Sequence, residues 1–259
     1  MTHNIEMLRE RYTKLLDTLC REYNFADCLD GNAPEDIAYN WEECERATKE
    51  LGIWTSAGAT KFVIGDNNCD YIIKIQPPCV NSEDDYDYDN EDEDEDRDYE
   101  DFDYCAREVE VYNTAVVEGY SDRFAWTAKL FDYDFSDWCT LSVYVMEWCK
   151  CDYNLIDDEM DEWHFTQYRT SRGLEDNDEV REQYYSRGRG DKGYSERMLE
   201  WVYSVWGEEY DPSSDFIQFM RRMFINDIHS GNWGWHGNTI VLTDYSGYGA
   251  SFSRRSLHY

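Results

Sequence analysis

Residues 83–103 hold fifteen Asp or Glu, one Arg and no aliphatic side chain, a local charge of −14 in a chain whose total is −33. Like charges at that density repel one another and offer nothing apolar to bury, so this block has no route into a core. It is predicted to be a disordered insertion over 81–104, and the chain must fold around it. Elsewhere large rings are abundant. Phe, Trp and Tyr make up 17% of the sequence, enough burial to offset the entropy of ordering a chain. A length of 259 residues suits one large domain or two smaller lobes.

The acidity also bounds the partners. Neutralising nucleic-acid phosphates takes Lys and Arg, and 24 of these face 57 acidic residues, so direct nucleic-acid binding is not expected. A basic protein partner, or mimicry of nucleic acid itself, fits better. The opening MTHNIEMLRERYTKLL is charged and amphipathic, unlike a secretory signal, and no run of about 18 apolar residues marks a membrane span. Nine cysteines without a CxxC pair read as reduced thiols of a cytoplasmic protein.

Apolar periodicity places the elements. Leu8, Tyr12, Leu15, Leu16 and Leu19 recur at helical spacing, and a second helix runs from a cap at Asn40, with Glu43 three residues on, to Gly52. These two make residues 1–52 a helical extension. Strands follow over 62–64 and 71–75 around turn chemistry at 65–68, then a helix from Cys105 to about Val117. Strands over 128–133 and 141–146 are joined by a polar turn at 134–137. Residues 152–195 read as a polar loop with a flexible basic patch at 186–190. Met198, Val202, Val205 and Trp206 mark one more helix. Phe216, Phe219, Met220, Met223 and Phe224 mark another, capped from Ser213 or Ser214. The fold class is α+β, with a sheet-bearing region over 53–148 and a helical region over 149–259.

The residues that carry chemistry follow the last helix. Ile225-Asn226-Asp227-Ile228-His229-Ser230-Gly231-Asn232 places an Asp and an Asn five apart, and the apolar run 240–242 leads to Asp244. Two carboxylates and a carboxamide form a hard-oxygen set suited to Mg²⁺, which keeps coordination positions for phosphate oxygens. Gly231, Gly234 and Gly237 are expected to supply the reversals between them.

This segment resembles the catalytic and metal-binding loops of the protein-kinase-like superfamily, in the variant with His two after the catalytic Asp. It is especially similar to the early host-shutoff Ser/Thr protein kinases of short-tailed lytic phages. Upstream residues fall in matching order. Lys74 in Tyr-Ile-Ile-Lys-Ile resembles the strand lysine that holds the α- and β-phosphates, and Glu108, with Glu110 as alternate, the helix glutamate paired with it. Ser56 and Gly58 fall at the phosphate loop, and Glu147 and Cys149 at the adenine hinge. The resemblance runs from about residue 53 to 249.

The resemblance implies a two-lobed protein-kinase-like fold, a small antiparallel sheet lobe plus a mostly helical lobe, truncated after the metal-binding Asp loop. It implies ATP and Mg²⁺ as cofactors, Asp227 and His229 as catalytic residues, and Asn232 and Asp244 as metal ligands. Lys74, Glu108, Gly58, Ser56, Glu147 and Cys149 would hold the nucleotide. The expected activity is a Ser/Thr protein kinase, phage-encoded and working in the host cytoplasm on basic host proteins such as nucleic-acid enzymes. Two alternatives stand beside it: a catalytically weak kinase-like protein that inhibits a nucleic-acid-binding host protein as a DNA mimic, and a small-molecule kinase of the aminoglycoside type.

Overall fold

Alternating apolar side chains can bury one face of a sheet, and over 62–66, 71–75 and 139–147 they do so. The computed structural model describes residues 3–25, 42–57, 61–76, 103–136, 139–186 and 192–246. Five strands form an antiparallel sheet: β1 (Ile53–Ala57), β2 (Phe62–Asp66), β3 (Tyr71–Ile75), β4 (Thr127–Ser136) and β5 (Cys139–Glu147), ordered β1-β2-β3-β5-β4. The register Ile64↔Ile73↔Val145 puts Phe62, Ile64, Ile73, Ile75, Val143 and Val145 on one face, all of them buried.

Helix α1 (Ile5–Glu22) joins the same apolar cluster through Leu8, Tyr12, Leu16 and Leu19, as does Ala47 of α2 (Glu42–Leu51). Both helices therefore share the core of the sheet. Each fully buried leucine of α1 contributes about 1.5–3 kcal/mol of transfer free energy. Asn4 caps α1 by accepting from the Met7 amide, and α2 ends at Gly52, whose φ of +67° favours glycine. The opposite face of the sheet follows a second row of the register, Ser56↔Val63↔Lys74↔Tyr144. Helix α3 (Tyr104–Glu118) meets this row.

The chain divides into two compact units: unit 1, Met1–Tyr112 with Trp126–Trp148, and unit 2, Asn113–Ala125 with Cys149–Tyr259. Unit 2 contains helices α4 (Tyr153–Arg172), α5 (Asp178–Ser186), α6 (Tyr194–Val205) and α7 (Asp215–Arg222). It ends in a hairpin of β6 (Trp233–His236) and β7 (Thr239–Leu242). Phe216, Phe219, Trp233 and Tyr245 are among its buried rings.

Three expectations change. Residues 152–195, expected as a loop, are largely α4 and α5. Asp152 caps α4 by accepting from the Leu155 amide, Gly173 closes it at φ +65°, and only Ile156, Met160 and Phe165 are buried along it. Three apolar contacts suffice because α4 packs along α6, and a stripe that thin is easily lost in a polar sequence. Strand β4 continues to Ser136, into the turn expected at 134–137, since Phe135 keeps the alternation and is buried. Gly65 and Asp66, expected in a turn, belong to β2. Trp54 lies across Gly65, where a Cβ would come within 2.0 Å of the indole.

The acidic insertion up to residue 102, the Asn40 cap, Gly58, the basic patch at 187–190 and everything from Gly247 onward lie outside the described residues. Among the described residues no helix is long and apolar enough to cross a membrane, and no disulfide joins the cysteines.

Candidate functional site

In unit 1, strand alternation sets the position of Lys74. Ile73 and Ile75 face the apolar cluster, so Lys74 between them faces the other way. It is nonetheless 5% exposed, and its Nζ lies 3.0 Å from both Oε1 and Oε2 of Glu108, which is fully buried. The helix period decides which glutamate meets the lysine. Cys105, Glu108 and Val111 share the buried face of α3, whereas Glu110 is turned outward and pairs with Arg107 at 2.5 Å.

The start of α3 is tied to the sheet at two points. The Tyr104 amide donates to Gln76 Oε1 at 2.7 Å, directly after β3. Asp103 caps the helix, accepting from the Ala106 amide at 2.8 Å, while its other oxygen accepts from the Tyr144 hydroxyl at 2.5 Å. Tyr144 stands opposite Lys74 on β5. Burial, reinforced by the bond to Asp103, raises the Tyr144 pKa and keeps the hydroxyl a donor. The face that presents Glu108 is thus held from the helix N-terminus.

A second lysine joins this cluster, and the sequence reading missed it. Lys61, 4% exposed, places its Nζ 2.7 Å from Glu108 Oε1. It precedes Val63 by two, and Val63 pairs with Lys74, so the two lysines share a sheet face once the register is known. Ser56 belongs to the same register row as Lys74 but is exposed, two strands away. Glu147 ends β5 opposite Tyr71, with its amide donating to the Trp126 carbonyl at 2.8 Å. Cys149 belongs to unit 2 and is buried.

In unit 2, Ile225 and Ile228 anchor the loop after α7 by burial, which leaves Asp227 and His229 exposed. A 3₁₀ turn, Ser230–Asn232, leads into β6. The hairpin register Trp233↔Leu242 then brings Asp244 alongside Asn232: the Asn232 carbonyl accepts from the Thr243 amide at 2.8 Å and the Asp244 amide at 3.4 Å. Twelve residues of sequence close to a backbone contact. Gly237, at φ +61°, makes the hairpin turn, but the other two expected reversals are close approaches instead. A Cβ at Gly234 would meet Cys149 Cβ at 2.7 Å, and one at Gly231 would meet His229 Cε1 at 2.9 Å.

Asn232, 7% exposed, donates through Nδ2 to the Asp227 carbonyl at 2.7 Å, which orients the side chain and aims its Oδ1 elsewhere. Asp244 accepts from the Ser246 hydroxyl at 3.2 Å. Gly231 donates its amide to His229 Nδ1 at 3.1 Å, so the neutral ring carries its proton on Nε2, 3.5 Å from Asp227 Oδ2. The loop is braced from two helices. Ser230 Oγ donates to Asp157 Oδ2 at 3.1 Å, Tyr194 donates to Asp157 Oδ1 at 2.5 Å, and the Ser230 amide donates to the Tyr194 hydroxyl at 3.1 Å. Asp157 and Tyr194 escape sequence reading because they lie 73 and 36 residues from Ser230.

An oriented carboxamide oxygen and an adjacent carboxylate suit a divalent ion that takes one or two protein oxygens, substrate phosphates and water, as Mg²⁺ does. Among the described residues no group of three or more His, Cys, Asp and Glu is placed to hold a metal. Of the residues expected to hold the ion, the hairpin brings Asn232 and Asp244 together. No family model, no curated protein and no solved structure matches the chain.

Proposed function

We propose that the chain is a two-lobed protein-kinase-like phosphotransferase that moves the γ-phosphoryl group of ATP to Ser or Thr hydroxyls of basic proteins. The observation that carries this reading is the buried Lys74, held through both oxygens of Glu108 at 3.0 Å on the face of an antiparallel sheet. A desolvated ammonium aimed by a carboxylate is a costly arrangement for stability alone, and it provides a fixed cation for nucleotide phosphates.

Each unit contributes its own part. In unit 1, Lys74 grips the α- and β-phosphates and Glu108 fixes its position. In unit 2, the exposed Asp227 carboxylate orients the acceptor hydroxyl and takes its proton as the bond to the γ-phosphorus forms and its bond to the bridging oxygen breaks, releasing ADP. Asn232 and Asp244 would hold Mg²⁺, which neutralises charge on the transferring phosphoryl oxygens. His229, hydrogen-bonded through Nδ1, directs Nε2 toward Asp227 and offers a donor beside it. The net charge of −33 attracts basic substrates, with on-rates that fall as salt rises.

The test is phosphoryl transfer from labelled ATP with Mg²⁺ to a lysine-rich basic protein. Wild type is expected to label Ser or Thr, and Asp227→Ala and Asp244→Ala to lower the rate by about 100-fold or more. Equal labelling by wild type and Asp227→Ala, or no labelling by either, would overturn the reading.

A further inference from the structure

Two lysines share one buried carboxylate. Lys61 and Lys74 both contact Glu108 Oε1, at 2.7 and 3.0 Å, and they are 4% and 5% exposed. We infer that Lys61 is a second phosphate-gripping residue, so that unit 1 carries a two-lysine polyphosphate site aimed by a single glutamate. This inference rests on the phosphotransferase reading and deepens it by naming what recognises the triphosphate.

The geometry supports it in three ways. First, the register places both ammonium-bearing side chains on one sheet face, and contact with a common oxygen holds their Nζ atoms within the sum of two hydrogen bonds. Second, desolvating an ammonium costs several kcal/mol, and apolar replacements of buried ion pairs are often neutral or stabilising. Glu108 nonetheless meets two of them, Lys74 through both oxygens and Lys61 through one. Third, an ammonium has three N–H donors on a flexible stem, so one contact with Glu108 is compatible with another to a phosphate oxygen. A triphosphate carries several charges on adjacent groups, and two cations this close match adjacent phosphates better than one. Monophosphates would gain little from the second.

Binding of ATP, AMP and inorganic tripolyphosphate to the purified full chain, below its melting temperature, separates the possibilities without relying on turnover. Lys61→Met and Lys74→Met are each expected to weaken ATP and tripolyphosphate binding by about tenfold or more, with AMP nearly unchanged for Lys61→Met. Lys61→Arg should restore ATP binding to within about threefold, since it returns the charge. Turnover should show the Lys61→Met loss mainly in KM for ATP. If Lys74→Met loses ATP binding while the folded Lys61→Met keeps it, or if ATP and AMP weaken equally, Lys61 is structural and the inference fails alone. If wild type binds neither ATP nor tripolyphosphate, the phosphotransferase reading fails and the inference with it.

Discussion

Asn232 donates its side-chain amide to the backbone carbonyl of Asp227 at 2.7 Å, closing a loop of five residues. The same residue's carbonyl accepts from the Asp244 amide at 3.4 Å, so one asparagine ties the two acidic positions together. An aspartate there keeps an oxygen for a metal but has no N–H to give, and it would face the Asp227 carbonyl with another acceptor. Asn232→Asp is therefore expected to cost about 1–3 kcal/mol in urea unfolding and Asn232→Ala a similar amount. Both should lower phosphoryl transfer about 100-fold, because small misplacements of a positioned group carry penalties of that size. Unchanged stability in both variants would mean that the side-chain bond does not hold the loop.

The Glu108 cluster makes a sharper contrast, because the neighbouring acids differ in burial. Glu108→Ala takes the carboxylate away from two buried ammoniums and is expected to destabilise the chain by about 3–5 kcal/mol. Glu108→Gln keeps the shape and one acceptor, and should cost less. Glu110→Gln changes an exposed residue on the outer face of α3 and should stay within about 0.5 kcal/mol of wild type. Urea midpoints of the three variants check the order.

These contrasts bear on what a sequence makes legible. Helix α1 and strands β2, β3 and β5 are visible because their apolar residues recur cleanly at 3.6 or 2. Helix α4 is not, because three buried side chains in 20 residues leave almost no stripe. The spacing of Asp227, Asn232 and Asp244 is written in the chain, but the β6–β7 hairpin that joins the last two is only half visible. Trp233-Gly234-Trp235 reads as a turn until Gly234 is seen pressed against Cys149. Lys74 stands out within an apolar strand, whereas Lys61 acquires meaning only from the β2–β3 register, a long-range property. The same holds for Asp157 and Tyr194, which meet Ser230 through the packing of whole helices.

That bracing predicts its own phenotype. Tyr194→Phe removes the donor to Asp157 and the acceptor for the Ser230 amide in one step, and Ser230 is 6% exposed. A loss of about 1–3 kcal/mol is expected. Because the brace holds the loop of Asp227 in unit 2 while Lys74 belongs to unit 1, kcat should fall while KM for ATP holds. Paired with Asp157→Asn, the double-mutant cycle should give a coupling of about 0.5–3 kcal/mol. Additive losses would show that the two side chains act independently.

A last prediction concerns acid. His164 on α4 is partly buried, and its Nε2 lies 2.9 Å from the Arg197 carbonyl. Burial is the main cause that lowers its pKa below the usual value. The carbonyl and Glu200 pull the other way, while Arg197 and Lys192 add to the lowering. The unfolded chain therefore binds a proton at a pH where the folded chain does not, so stability rises with pH across that window. Going down, the loss begins near the unfolded value of about 6.5 and is complete once pH has passed below the folded value. His164→Gln keeps a side-chain N–H for the carbonyl and removes the titration. Wild type should lose more stability than this variant between about pH 7.5 and about pH 5.5, by up to about 1.4 kcal/mol for each unit of depression. Comparing the two proteins cancels the protonation of the many acidic groups, which they share. Parallel losses in urea unfolding at both pH values would show that His164 is protonated as easily in the folded chain as in the unfolded one.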